Sequence, residues 1–377
     1  MTLPLTGYPR PDGRWGVRNH VLVMPVRSAA NLAAERIAQA VPDAVAVCHQ
    51  SGGDDSRRLR LTLAGFVTNP NVAAVLIVGV TKDDAWLAEF ATAAGQQAEF
   101  ISLAACRGIG STIDTGTRLA AAAGARARQL ERIPMDAEHL VLGLECGGSD
   151  SLSGITANPA LGVASDRLVH AGGTSILAET PELIGTEVIL AQRAVSPEVA
   201  RRVYEVILGF ERAIQKLGID IRGAQPTPGN QAGGLTTIEE KSLGAAMKGG
   251  NAPVAGVIGY AEQPDGHGLH IMDTPGHDIE QMVGMVAGGC QLVAFTTGRG
   301  TPTGSPIAPC LKISSNTAMF DRLNGDIDLN AGVILDGQET VQTMGERIYE
   351  ALLRAASGEL TSSERRGNRE FAISRIA

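Results

Sequence analysis

The stretch Val21-Leu22-Val23-Met24-Pro25-Val26-Arg27-Ser28-Ala29-Ala30-Asn31-Leu32-Ala33-Ala34-Glu35-Arg36-Ile37-Ala38-Gln39-Ala40, with Ala44-Val45-Ala46-Val47 after it, decides the fold. Val21 to Val26 is a short apolar run and predicts a buried strand. Ala29 to Ala40 is Ala-rich and predicts a helix. Ala44 to Val47 is a second strand. The alternation then repeats along the chain. Arg57 to Val67 and Asp83 to Ala94 are helical in pattern, Val72 to Val78 and Ala98 to Leu103 are strands, and Ile113 to Arg132 closes the series as a helix. A β-α repeat of this kind predicts an α/β fold with an open parallel sheet and helices on both faces.

Ligands of such sheets lie at the carboxyl ends of the strands. Those ends carry Arg27-Ser28, Cys48-His49-Gln50-Ser51-Gly52-Gly53, Gly79-Val80-Thr81-Lys82-Asp83 and Ala104-Ala105-Cys106-Arg107-Gly108. The joint Arg132-Ile133-Pro134-Met135-Asp136 interrupts the alternation. It divides the chain into an expected Rossmann-like domain, residues 1–134, and a Gly-rich C-terminal α/β catalytic domain, residues 135–377.

Composition narrows the class. At 377 residues the chain is long for one domain, and 46 glycines with 3% aromatics suit a loop-rich α/β enzyme. The net charge of −8 argues against a nucleic-acid surface. No run of apolar residues is long enough for a membrane span, and no secretory signal is visible. Cys48, Cys106, Cys146, Cys290 and Cys310 are odd in number and scattered. That is a cytoplasmic pattern of buried thiols or site residues.

The loop with the most chemistry follows the apolar run Leu140 to Leu144. It reads Leu144-Glu145-Cys146-Gly147-Gly148-Ser149-Asp150-Ser151-Leu152-Ser153-Gly154-Ile155-Thr156-Ala157-Asn158-Pro159. Glycines there let backbone N–H groups approach a ligand. Cys146, Ser149, Asp150 and Asn158 are its candidate functional side chains. A structural turn is the alternative.

Other loops add candidates. Gly7 to Asn19 carries Arg14 and Arg18, whose guanidinium forks suit carboxylates, although a solvated turn would carry arginines too. His49 stands just past a strand. Gly229 to Lys241 reads as a glycine turn entering a helix, with Thr236 or Thr237 as cap, Glu239 or Glu240 completing a capping box, and Lys241 one turn in. Gly266 to Asp278 gathers His267, His270 and His277 with Asp273 and Asp278, a mixture able to bind a divalent ion or run acid–base chemistry. Arg299, between glycines after an apolar strand, looks like an anion-binding loop. Lys312 and Asn316 follow in Pro309 to Thr317.

In order, the segments GYPRPDGRWGVRN, NPNVAAVLIVG, ECGGSDSLSGITANPALG, GGTSILAETPELIGTE, GNQAGGLTTIEEKSLGA, MDTPGHD, AFTTGRGTPTG and SGELTSSE resemble the altronate/galactarate dehydratase family, which includes the large subunit of sulfolactate sulfo-lyase. They run from Gly7 to Glu364, more closely after Leu140 than before it. The resemblance implies two α/β domains and a lyase acting on a sugar acid or small 2-hydroxy acid, a small acidic metabolite. A proton would leave the carbon next to the carboxylate, and a β-substituent would be expelled. It also implies iron or another divalent metal and no nucleotide cofactor. A small β-rich partner subunit is implied as well, because this chain starts at what is the second unit of many members. A homo-oligomer is expected. The family pattern puts cysteines in loops after the early strands. Here the matching places hold Arg27-Ser28, Gly52-Gly53 and Thr81-Lys82-Asp83, none of which replaces a soft thiolate. Cys146 and His49 remain as candidate metal ligands.

α-Proton abstraction needs a base and a partner for the enediolate charge. His49 or His277 is the candidate base, with Asp150 or Asp273 to orient it. Arg18, Lys241, Arg299 and Lys312 are candidate partners for carboxylate and enediolate. Cys146 is a metal ligand or a wall of the site. Two further readings stay open: a diverged subunit that binds a metabolite or serves assembly without catalysis, and a metal-free isomerase or epimerase.

Overall fold

The computed structural model describes residues 5–51 and 56–373, so the expected Gly52-Gly53 turn lies outside the described residues. Four parallel strands, β1 (His20–Pro25), β2 (Ala44–Ala46), β3 (Val72–Gly79) and β4 (Ala98–Ser102), form a sheet in the order β2-β1-β3-β4. Helices α1 (Asn31–Ala40), α2 (Arg57–Val67), α3 (Trp86–Ala93) and α4 (Ile109–Ala127) alternate with the strands. The two central strands are nearly continuous apolar runs because helices cover both faces. Val21, Val23, Leu76 and Val78 meet α1 and α4, while Leu22, Met24, Val75 and Ile77 meet α2 and α3.

Helix α4 begins and ends earlier than the sequence pattern predicts. Gly108, at φ 130°, turns the chain into it. Its last carbonyl, Ala127, accepts from the Asn19 amide at 2.7 Å, and the following residues leave the helix.

Seven parallel strands form the second sheet: β5 (Val141–Cys146), β6 (Thr174–Leu177), β7 (Val254–Ile258), β8 (Gly268–Met272), β9 (Leu292–Thr297), β10 (Cys310–Ser314) and β11 (Leu329–Asn330). Their order is β7-β8-β6-β5-β9-β10-β11. The strand order reverses between β5 and β9, which is where an open parallel sheet makes its ligand crevice. Helices α5 (Ala157–His170) and α6 (Pro197–Lys216), the shorter α7 (Ile238–Ala246) and the late α9 (Val341–Ala356) pack with one face. Helix α8 (Asp278–Ala287) covers the other.

The two sheets share a core. Phe66, Val67 and Ile77 from the first pack in one cluster with Met282, Val286 and Phe295 from the second. Helices α2 and α8 approach so closely that a Cβ on Gly65 would lie 2.2 Å from the Ala287 carbonyl oxygen. The expected joint at Ile133–Pro134 is a strand paired with the hairpin strand Thr6–Pro9. No helix among the described residues is long and apolar enough to cross a membrane.

Arg18 ties the beginning of the chain to its end. It binds Glu364 bidentately, at 2.7 and 2.9 Å, and donates to the carbonyls of Val17, Ala355 and Glu359. Burial raises the pKa of Glu364, but hydrogen bonds from Arg18 outweigh this and hold it below the usual 4.5. The stabilisation is therefore complete above pH 4.5 and is lost as pH falls through the lowered value. Glu364→Gln should cost about 1.5–3 kcal/mol near neutrality. Urea unfolding at a series of pH values should show the gap to the parent protein closing in acid.

Candidate active site

Strand β5 ends at Cys146, and the residues after it form the floor of the crevice. The carbonyl of Gly148 accepts from the Gly298 and Arg299 N–H groups at 3.3 and 3.0 Å, joining the loops after β5 and β9 at the point of strand reversal. Gly147 is required by close approach: a Cβ there would lie 2.0 Å from an Asp278 carboxylate oxygen.

Cys146 faces a turn, Thr180–Leu183, that follows β6. Its Sγ lies 3.6 Å from Glu179 Oε2 and 4.0 Å from Glu182 Oε2, and its N–H donates to Glu179 Oε1 at 3.2 Å. Glu179 is fully buried and left-handed, at φ 75°. A non-glycine residue there costs about 1–3 kcal/mol, strain that concentrates at functional sites. Its N–H donates to Thr274 Oγ1 at 2.8 Å, and Thr180 Oγ1 donates to Asp273 Oδ1 at 2.8 Å, which fixes the β8 loop against this turn.

Two lysines complete the cluster. Lys248 is fully buried and paired with Glu179. Lys241 Nζ lies 2.7 Å from Glu182 Oε1 and donates to Gln225 Oε1 at 3.2 Å. Helix α7 presents Lys241. Thr237 caps it by accepting from the Glu240 N–H, while Glu240 accepts from Thr236, a variant of the expected capping arrangement.

Burial and the neighbouring Glu179 push the carboxyl groups of Glu145 and Glu182 above their ordinary range. Burial pushes the Cys146 thiol up, and Glu179 adds to it. Burial disfavours charge on Lys248, but Cys146, Glu179 and Glu145 outweigh it and raise its pKa. Lys241 is likewise raised, Glu182 outweighing burial.

A divalent cation fits these residues. One ligand atom each from Cys146, Glu179 and Glu182 lies within 4.8 Å of the others. Both carboxylate oxygens of Glu145 are buried with no hydrogen-bond partner. Glu145, Glu179, Glu182 and Asp278 crowd together beside Lys241 and Lys248, and burial with mutual repulsion raises Glu145, Glu182 and Asp278, a crowding that a bound cation would relieve. Two carboxylates and a thiol form a donor set for a first-row divalent ion.

A cavity of about 270 Å³ opens over the cluster, with Cys146 and Lys241 in its wall. Ser149, Asp150 and Asn158 line it too. Asp150 accepts from Ser153, Ser315 and Asn316, which pins the loops after β5 and β10 together. Asn158 donates to the Gly244 carbonyl and accepts from Thr296. Asn316 caps Thr317–Arg322 and donates to Asp150 and to the Gly298 carbonyl.

The other expected site residues do not line that cavity. Asp273 and His277 are exposed on the β8 loop, beside the Glu179 turn, where Gly276 abuts Pro181. Arg299 is exposed, its guanidinium against Gly229. Lys312 is buried within β10, with Asn368 Oδ1 at 3.4 Å. His49 accepts from the Ser51 N–H at Nδ1 and bonds the Pro25 carbonyl through Nε2, its ring 6.4 Å from that of Phe371. Among the described residues the cation-binding group is Cys146, Glu179 and Glu182, without a histidine. Arg14 pairs with Asp12 and Arg18 with Glu364.

Sequence reading had not singled out Glu145, Glu179, Glu182 or Lys248. Their signal was present for two of them: Glu179 and Glu182 directly follow the apolar strand Thr174–Leu177, at the carboxyl end where ligand groups gather. Lys248 carried none, because it stands in a Gly- and Ala-rich helical run.

The chain is similar to known proteins along nearly its whole length. Residues 137–377 match the family profile described as D-galactarate/Altronate dehydratase, C-terminal. Residues 7–128 match the one described as D-galactarate dehydratase/Altronate hydrolase, second domain. The chain is 36% identical to the (2R)-sulfolactate sulfo-lyase subunit beta of Chromohalobacter salexigens, over 98% of this chain and 97% of that one. It is 34% identical to the altronate dehydratase of Bacillus subtilis, over 97% of this chain and 76% of the relative. It is 39% identical to the galactarate dehydratase (L-threo-forming) of Escherichia coli, over 62% of this chain and 44% of the relative. With both family profiles matched in order and these identities along nearly its whole length, the chain belongs to the D-galactarate/altronate dehydratase family.

Proposed function

We propose that this chain is a carbon–oxygen lyase that takes the α-proton from a sugar acid or small 2-hydroxy acid and expels the β-hydroxyl as water. The observation that carries the reading is the Cys146–Glu179–Glu182 group, with its two lysines, under a cavity in a chain of this family. Lys241, in the cavity wall, binds the substrate carboxylate and meets the charge of the enediolate. His277, exposed beside the Glu179 turn, is the base. Lys248 holds Glu179 in place from behind, and Asp150 keeps the loops after β5 and β10 in register. Cys146, Glu179 and Glu182 would hold a divalent cation, iron by family, which as a Lewis acid polarises a substrate oxygen. Loss of the α-proton and of the β-hydroxyl leaves an enol that becomes a 2-oxo acid.

The Chromohalobacter relative is named as a subunit. By the same reading this chain acts in the cytoplasm as a homo-oligomer joined by a small β-rich partner subunit. The test uses protein purified without air and a panel of 2,3-dihydroxy acids from glycerate to galactarate in deuterated water. The expected result is a 2-oxo acid carrying deuterium, with turnover lost on chelation and restored by ferrous ion. Neither 2-oxo acid nor α-deuterium from any compound would overturn the reading in favour of a metabolite-binding subunit. Exchange without elimination would favour an epimerase.

A further inference from the structure

Strand β5 has two faces, and its thiol and its carboxyl group divide between them. Cys146 faces the cavity and the Glu179 turn. Alternation along the strand turns Glu145 to the other face, with Gly143 and Gly147. Helix α8 lies across that face. A Cβ on Gly143 would lie 3.0 Å from Met285 Sδ, and one on Gly147 would lie 2.0 Å from Asp278 Oδ2. Strand and helix therefore run antiparallel. Glu145 stands opposite the helical turn between Asp278 and Met285, which holds Gln281.

Three buried oxygens on this face lack a donor. Glu145 is fully buried, and neither of its carboxyl oxygens has a hydrogen-bond partner. Gln281 is 1% exposed, and its Oε1 is unpartnered too. Lys248 donates to Glu179 and not to Glu145. Buried carboxylates are normally paired or coordinate a metal. Glu145 is not a member of the Cys146, Glu179 and Glu182 group. Asp278, at the first position of α8, is only partly buried and gives an ion a way in. The positive end of α8 opposes a cation, and the Asp278 carboxylate at that end offsets it.

We infer that Glu145, Gln281 and Asp278 form a second cation site, separate from the Cys146 group, for a hard divalent ion, calcium or magnesium. The donors are two carboxylates and an amide carbonyl. An all-oxygen set of this kind selects such ions, and water completes their coordination where protein ligands are few. The ion ties β5 to α8 on the face behind Cys146. The inference does not depend on the lyase reading.

The test is calorimetric titration of calcium, and separately of magnesium, into the chelator-treated full chain. One ion per chain should bind, with a dissociation constant of about 10⁻⁴–10⁻³ M, the range of the weaker oxygen-ligand sites. Gln281→Met, close in size and without the carbonyl, should weaken binding about tenfold, and Glu145→Gln should weaken it further by removing a charged ligand. Glu182→Gln, which alters the Cys146 group, should leave the affinity unchanged. Urea unfolding of each variant shows that it is folded. If Glu145→Gln does not fold, Gln281→Met decides. Binding of neither ion would overturn the inference and leave Glu145 holding a proton shared with Glu179. Binding that survives Gln281→Met at full strength would place the ion elsewhere on the chain and overturn it as well. So would binding lost in Glu182→Gln, since the ion would then belong to the Cys146 group.

Discussion

Replacing Lys241 by methionine should lower kcat about 10²–10³-fold, the cost of removing one preorganised donor to a developing oxyanion. Lys241 is the ammonium that lines the cavity, with its Nζ held 2.7 Å from Glu182. The variant also leaves Glu182 without its cation, so stability falls as well. The double variant Lys241→Met/Glu182→Gln separates the two effects. Its unfolding midpoint should return toward that of the parent protein while turnover stays low. Recovery of both would make Lys241 a structural counter-ion alone. A loss confined to KM would assign it to ground-state binding of the carboxylate.

Lys248→Met should cost about 3–5 kcal/mol of stability, the penalty for removing one partner of a buried ion pair. Lys248 and Glu179 are both fully buried, and the neighbouring Glu145 carboxyl is pushed toward its neutral form by burial and by Glu179. Methionine fills most of the lysine volume, so the loss is electrostatic and not a cavity effect. Lys248→Met/Glu179→Gln should regain most of the stability, because no buried charge is then left unpaired. Denaturant unfolding of the three proteins at one pH decides it. Additive losses in the double variant would mean that the two side chains do not act as a pair.

The parallel sheet of the first half was legible because it is a local property. The central strands His20–Pro25 and Val72–Gly79 are buried on both faces and so are written as nearly unbroken apolar runs, while the edge strand Ala98–Ser102 carries an exposed Glu99. The pocket loop after β5 was legible for the same reason: a strand ends, and glycines and polar groups begin. Cys146, Asp150 and Asn158 thus appeared as neighbours in sequence before they appeared as neighbours in the cavity.

What sequence could not show was which charges meet. Arginines in a nine-residue loop look like carboxylate binders, yet Arg18 finds its carboxylate in Glu364, 346 positions away. His49 stands at the carboxyl end of a strand, as a site residue should, but its ring nitrogens are taken up by Ser51 and Pro25. Lys312 sits within a strand whose alternation turns it away from the cavity, into contact with Asn368. The converse holds for Glu179 and Lys248, 69 residues apart and paired only because β6 and the end of α7 converge behind Cys146. A buried charge is decided by its partner, and partners are chosen by strand order. The sequence alone determined the alternating strands and helices of the first half and the glycine loop after β5. The tertiary structure decided which carboxylates and lysines share one low-dielectric space, because that pairing depends on the β5–β9 reversal and on no local pattern.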